Sequence, residues 1–187
     1  MMKHCRPLHL GLLVLGLITA CSRPQAEEPD WTFGRVDTLE ARLRQMSQLD
    51  TALVDSLAAG YKTLAARDTL ADSTKAKLWL RRGDVYRAFQ GPRDQQALAA
   101  YRRVVDSFAY TSQAAQAALA SGLLYERRGN TPMAAGAYRL ILDRFPSSSL
   151  ADDAQNLLDL LRQSPDQQKE QIKRWIEESD TANSADA

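Results

Sequence analysis

The sequence predicts an all-α chain whose helices pair antiparallel and stack into a solenoid closed by a C-terminal capping helix. Three observations carry this. Alanine, leucine, arginine and glutamine dominate from residue 35 to 178, the prolines and the glycines Gly91 and Gly129 sit at segment ends, and no stretch alternates with the period of two that a strand needs. Apolar residues recur at 3/4 spacing in one segment after another. A pattern of small and aromatic residues also returns after 37 to 39 positions, a period typical of stacked helix pairs.

Val36, Leu39, Leu43 and Met46 form the first stripe and Leu53, Leu57, Tyr61 and Leu64 the second, which predicts a helix pair over 36–67. Most of these residues also fall on heptad a and d positions, so one long helix forming a coiled-coil oligomer is the alternative. Asp50 and Gly60 interrupt the heptads and favour the hairpin. Leu78, Trp79, Val85, Tyr86 and Phe89, then Leu98, Tyr101, Val104, Val105 and Phe108, predict a second pair over 75–108. Leu119, Leu123, Leu124 and Tyr125, then Met133, Ala137, Tyr138, Ile141 and Phe145, predict a third over 113–145. A helix over 149–162, with Leu150, Leu157, Leu158 and Leu161, opens a fourth unit that is not completed. The last helix, 165–178, is expected to cover its face with Trp175 and Ile176 inward and Lys169, Arg174 and Glu177 outward, because solenoids need polar-backed caps.

The punctuation agrees. Gly91-Pro92 separates one pair of helices, and Gly129-Asn130 closes another helix before Thr131, the expected N-cap, and Pro132 at the first helical position. Ser164-Pro165-Asp166-Gln167 has the form of a capping box. Residues 21–34 read as a tether, proline-containing and acidic over Ser22 to Asp30, and 179–187 as a disordered tail. The helical domain is expected over 35–178.

Residues 1–20 predict a cleaved signal peptide. Lys3 and Arg6 form a basic start, Leu8 to Ile18 is apolar, and Thr19-Ala20 supplies small residues for cleavage. The apolar run falls short of the roughly 20 residues that a membrane span needs. Ile18-Thr19-Ala20-Cys21 resembles the lipobox of bacterial lipoproteins, which implies cleavage before Cys21 and lipidation of that residue. Cleavage would remove Cys5 and both histidines, His4 and His9. Zinc sites of the usual nitrogen and sulfur type, Ser-His-Asp triads and Cys-His dyads are then excluded by composition. The remaining chain is close to neutral, with no electrostatic footprint for nucleic acid. No cofactor, no metal and no enzymatic activity are expected; a carboxylate-based envelope glycan hydrolase is the remote alternative.

The repeat itself is specific. Gly83 and Tyr86 return as Gly122 and Tyr125, and Tyr101 and Phe108 return as Tyr138 and Phe145. In the second copy Gly122, Tyr125, Ala134, Tyr138 and Pro146 carry the spacings of the tetratricopeptide repeat (TPR), with a small residue and an aromatic on helix A and again on helix B. Small residues let the two helices approach, and the aromatics fill the space beside them. Phe145-Pro146-Ser147-Ser148 with Ala151 and Ala154 forms a second motif, of which Phe108-Ala109-Tyr110-Thr111 with Ala114 and Ala117 is a weaker copy. Its hydroxyl residue is expected to N-cap the next helix A.

These motifs resemble the TPR lipoproteins and periplasmic TPR proteins of Gram-negative envelopes, among them those of the outer-membrane β-barrel assembly machine and of the Tol-Pal system. The resemblance implies a lipid-anchored scaffold that binds other envelope proteins along the surface of its A helices. By spacing, the groove positions are Lys77, Asp84 and Arg87 on one helix and Gln116, Leu123, Glu126 and Arg127 on the next, a mixed-charge cradle for a partner's extended segment. Ser22 after the lipidated cysteine, in place of the aspartate that retains enteric lipoproteins in the inner membrane, implies the outer membrane, facing the periplasm. An oligomeric, coiled-coil-led organiser of the Tol-Pal type is the alternative function.

Overall fold

The computed structural model describes residues 30–163 except Leu49 and Gln90, and beyond them Gln167, Lys169, Glu170, Lys173, Arg174, Ile176 and Glu177. The expected signal peptide, Cys21 and most of the tether, the Ser164–Asp166 cap, Trp175 and the tail lie outside the described residues.

Between residues 30 and 163 the chain forms seven helices: α1 (Phe33–Gln45), α2 (Thr51–Ala65), α3 (Asp72–Ala88), α4 (Asp94–Ser107), α5 (Ser112–Arg127), α6 (Thr131–Arg144) and α7 (Ala151–Arg162). No strand occurs among the described residues. Each helix packs on the next in sequence, and α3 also packs on α5. That extra contact makes the array a solenoid of helix pairs, because it stacks the first helices of successive pairs.

The pair α1–α2 resolves the choice between hairpin and single long helix in favour of the hairpin. The chain leaves α1 at Met46, whose backbone is extended, and re-enters helix at Asp50. The Asp50 carboxylate accepts from the backbone N–H of Ala52 at 2.8 Å and of Leu53 at 3.4 Å, satisfying donors that a continuous helix would have bonded internally. A coiled coil running through residues 36–67 is thereby excluded within this fold.

The folded unit starts earlier than the expected boundary at residue 35. Trp31 is only 4 % exposed and lies against Gly60 of α2, where a Cβ would overlap the indole. Thr32 caps α1 by accepting from the Arg35 N–H at 3.2 Å, the Arg35 guanidinium stacks on Trp31 at 5.1 Å, and Arg67 donates to the Trp31 carbonyl. A tryptophan removes so much apolar surface from water that it drags the last part of the tether into the core.

Helix ends explain most of the remaining boundaries. Gly129, at φ +70, closes α5: its N–H reaches the Glu126 carbonyl at 2.8 Å, and Asn130 N–H reaches Tyr125 at 2.9 Å. This is the left-handed glycine cap that satisfies the last carbonyls of a helix. The side chain of Asn130, rather than of Thr131, then caps α6, accepting from Met133 N–H at 3.3 Å. The carboxamide wins because it sits one residue earlier, where the backbone has not yet become helical. Nor does Thr111 cap α5 through its side chain; its hydroxyl turns back to the Phe108 carbonyl at 2.7 Å, while Ser148 accepts from Leu150 N–H at 3.2 Å, within the turn before α7.

The core runs the length of the array, and its largest fully buried side chains are three tyrosines, Tyr61, Tyr101 and Tyr138, one on the second helix of each pair. Gly83 and Gly122 face the rings of Tyr101 and Tyr138, where an added Cβ would overlap them. Near the C-terminus, Lys169, Arg174 and Glu177 are exposed as expected, but Ile176 is 47 % exposed instead of inward.

Candidate functional site

Because α3 and α5 stack, their outward faces form one surface whose rows are set by Gly83 and Gly122. Lys77 lies level with Gln116, Asp84 with Leu123, and Arg87 with Glu126. The seven side chains expected in the groove divide into two groups. Lys77, Gln116 and Leu123 are exposed, Leu123 to 41 %, and Lys77 makes no ion pair among the described residues. The other four are engaged within the fold.

The engagement follows from the tyrosines. A ring buried between two helices carries its hydroxyl toward the A-helix side, where that hydroxyl must find an acceptor. Tyr101 donates to Asp84 Oδ1 at 2.8 Å and accepts from Arg87 Nε at 3.1 Å, and Arg87 Nη2 lies 3.8 Å from Asp84. Tyr138 donates to Glu126 Oε2 at 2.9 Å. Tyr61 donates to Glu40 of α1, which Arg81 also holds with contacts of 3.0 and 2.9 Å. Burial, followed by the adjacent carboxylate, pushes all three phenols well above the ordinary tyrosine range. Each acid is therefore both a groove charge and the anchor of a core tyrosine.

Arg127 is committed elsewhere. Its Nη2 donates to Asp94 Oδ1 at 2.7 Å, and its Nη1 reaches the Arg87 carbonyl at 3.4 Å. Asp94 is 3 % exposed and is the single buried charged residue among those described. Sequence reading missed Asp94, Glu40 and Arg81. Nothing local marks Asp94, since its partner lies in the next pair of helices. Glu40 and Arg81 are likewise joined only when α3 is laid beside α1. There, a cleft of about 230 Å³ opens between Phe33, Val36, Asp37, Lys77 and Arg81, extending the surface toward the first pair.

The surface thus offers an apolar knob (Leu123), an unpaired cation (Lys77), an amide (Gln116) and carboxylates held rigid by tyrosines. Such a face can grip an extended or helical segment through mixed contacts. No curated protein and no solved structure gives a significant match to the chain. A family model described as a tetratricopeptide repeat matches residues 78–109 and 116–148. The first match runs through most of α3 and all of α4, the second through most of α5 and all of α6. With the paired helices, the glycine–tyrosine contacts and the α3–α5 stacking already in place, the two matched segments have both the sequence pattern and the helix-pair architecture of tetratricopeptide repeats, a fold of protein-interaction scaffolds.

Proposed function

We propose that this chain is a lipid-anchored adaptor facing the periplasm from the bacterial outer membrane, where it recruits other envelope proteins along its A-helix face. One observation carries the binding reading: Lys77, Gln116 and Leu123 stand exposed in register on stacked helices whose neighbouring charges are locked in place. Ordered side chains around a few uncommitted ones lower the entropy cost of binding, which favours a docking face over a merely solvated one. The lipid anchor is supported by the lipobox-like Ile18-Thr19-Ala20-Cys21 after a charged and apolar leader. The several acyl chains of such an anchor hold a protein to a bilayer stably, where one would not.

Cross-linking of the full chain in membranes, followed by mass spectrometry, tests the face. Lys77→Glu with Leu123→Arg should lose the partners captured by the wild type, because neither side chain supports the core. An unchanged set of partners would remove the A-helix face from consideration. The intact mass of the mature protein tests the anchor, which predicts an acylated N-terminus at Cys21 and an unprocessed chain in Cys21→Ser. A wild-type mass corresponding to the uncleaved chain would sink it.

A further inference from the structure

On the other side of α5, α4 and α6 flank a cleft of about 310 Å³ that the A-helix face does not use. Its floor is Ala118, Ser121 and Tyr125 of α5, and its walls include Leu98 and Val105 of α4 and Leu140 of α6. The preceding layer of the solenoid shows what this space is shaped for. The Gly83-to-Gly122 offset places Trp79, Arg82 and Tyr86 of α3 at the positions of Ala118, Ser121 and Tyr125. In that layer the Arg82 guanidinium stacks between the Trp79 and Tyr86 rings, at 5.2 and 5.4 Å, and Arg93 stacks on Tyr86 at 5.8 Å while paired to Asp55 of α2. The next layer keeps the tyrosine but has lost the indole and the guanidinium.

The wall helices supply the charge argument. The buried positions Leu57, Ala58, Tyr61, Leu64 and Ala65 of α2 correspond to Ala97, Leu98, Tyr101, Val104 and Val105 of α4. In this register Lys62 becomes Arg102, so both layers carry a cation there. Ala66, however, becomes Asp106, an exposed acid on the rim of the cleft with no ion pair among the described residues. Relative to its filled counterpart, the cleft lacks an aromatic ring and a cation and has gained an anion. Gly136, on the α6 wall, leaves the mouth open, for a Cβ there would touch nothing within 4 Å.

We propose that this cleft receives a partner protein's aromatic side chain together with a lysine or arginine one helical turn away. The ring rests on Ala118, and the cation stacks on Tyr125 beside Asp106, rebuilding the ladder of the preceding layer from outside. Cation–π stacking of this kind is most favourable where water is excluded. The site is separate from Lys77 and Leu123, so the adaptor would hold two segments at once.

The test is fluorescence anisotropy of a labelled helical peptide, with one tryptophan and one arginine three residues later, titrated with the full chain. Saturable binding is expected, weakened at least tenfold when the peptide's tryptophan becomes alanine or its arginine becomes glutamate. Gly136→Leu, which fills the mouth with a good helix former, and Asp106→Lys should each weaken it at least tenfold. Leu123→Arg should leave it unchanged. Circular dichroism of each variant keeps folding separate from binding. Absence of saturable binding, or binding that survives both Gly136→Leu and Asp106→Lys, would overturn the proposal. Binding that emerges only in Trp175→Ala would also overturn it and give the cleft to the chain's own C-terminal segment.

Discussion

Arg127 Nη2 donates to Asp94 Oδ1 across 2.7 Å, tying the last turn of α5 to the first turn of α4. The acid's side chain is 4 % exposed and the arginine's 35 %, with Arg128 Nε a further 4.0 Å from the same carboxylate. Removing Arg127 leaves a buried charge poorly compensated, so Arg127→Ala should cost about 2–3 kcal/mol, below the full figure for a wholly buried pair. Asp94→Leu in the same background should restore part of the loss. Urea unfolding of the two single variants and the double variant measures the coupling; strict additivity would show that the pair does not join the repeats.

Among the helical glycines, Gly83 and Gly122 should respond in the opposite direction to Gly136 when each is changed to alanine. At an exposed, open helical position Gly→Ala stabilises by up to about 1 kcal/mol. Gly136→Ala should do so, since nothing lies within 4 Å of its added Cβ. At Gly83 and Gly122 the Cβ would overlap the rings of Tyr101 and Tyr138, and such overpacking costs typically 1–3 kcal/mol. Thermal unfolding of the three alanine variants should therefore give one raised midpoint and two lowered ones.

Tyr61, Tyr101 and Tyr138 predict alkaline sensitivity. All three have pKa values raised from 10.0, by burial first and by the neighbouring acid second. Unfolded tyrosines ionise near that ordinary value while the folded ones hold their protons. The stabilisation is then fully present below about pH 10 and is lost as pH rises beyond it toward the folded values. The urea midpoint should stay level from about pH 7 to about pH 9 and fall steeply above about pH 10. Tyr138→Phe, which leaves the exposed Glu126 in water, should lose about 1 kcal/mol at neutral pH and flatten the alkaline fall.

Asp50→Ala removes the acceptor for two N–H groups at the start of α2 and should cost about 1 kcal/mol. The loss should be local. Hydrogen exchange should quicken in the first turn of α2 and leave α5 and α6 untouched, and a chain that gained helix across residues 46–50 instead would contradict the hairpin.

Much of this fold was legible as sequence because its determinants are local. The 3/4 spacing of leucines set the helices, and the recurrence of Gly83, Tyr101, Gly122 and Tyr138 set their pairing. The hairpin over the first pair was legible through Asp50, an acid that caps better than it continues a helix. Less legible were features with a competing partner. Asn130 displaced Thr131 as a cap, and Thr111 bonded backward to Phe108 instead of forward into α5.

The candidate face divides in the same way. Sequence alone determined which positions share a side of each A helix, because helical period and repeat spacing are properties of the chain. Only tertiary structure decided which of those side chains are free. Asp84 and Glu126 are taken by hydroxyls of tyrosines on the following helices, and Arg127 by an acid in the preceding pair. The reason is that a buried hydroxyl or carboxylate must be paired, and its partner is chosen by proximity in space, which residue spacing along one helix does not contain. The empty cleft beside Ala118 is the same lesson inverted: small residues in the sequence became a vacancy only when α4 and α6 closed around them.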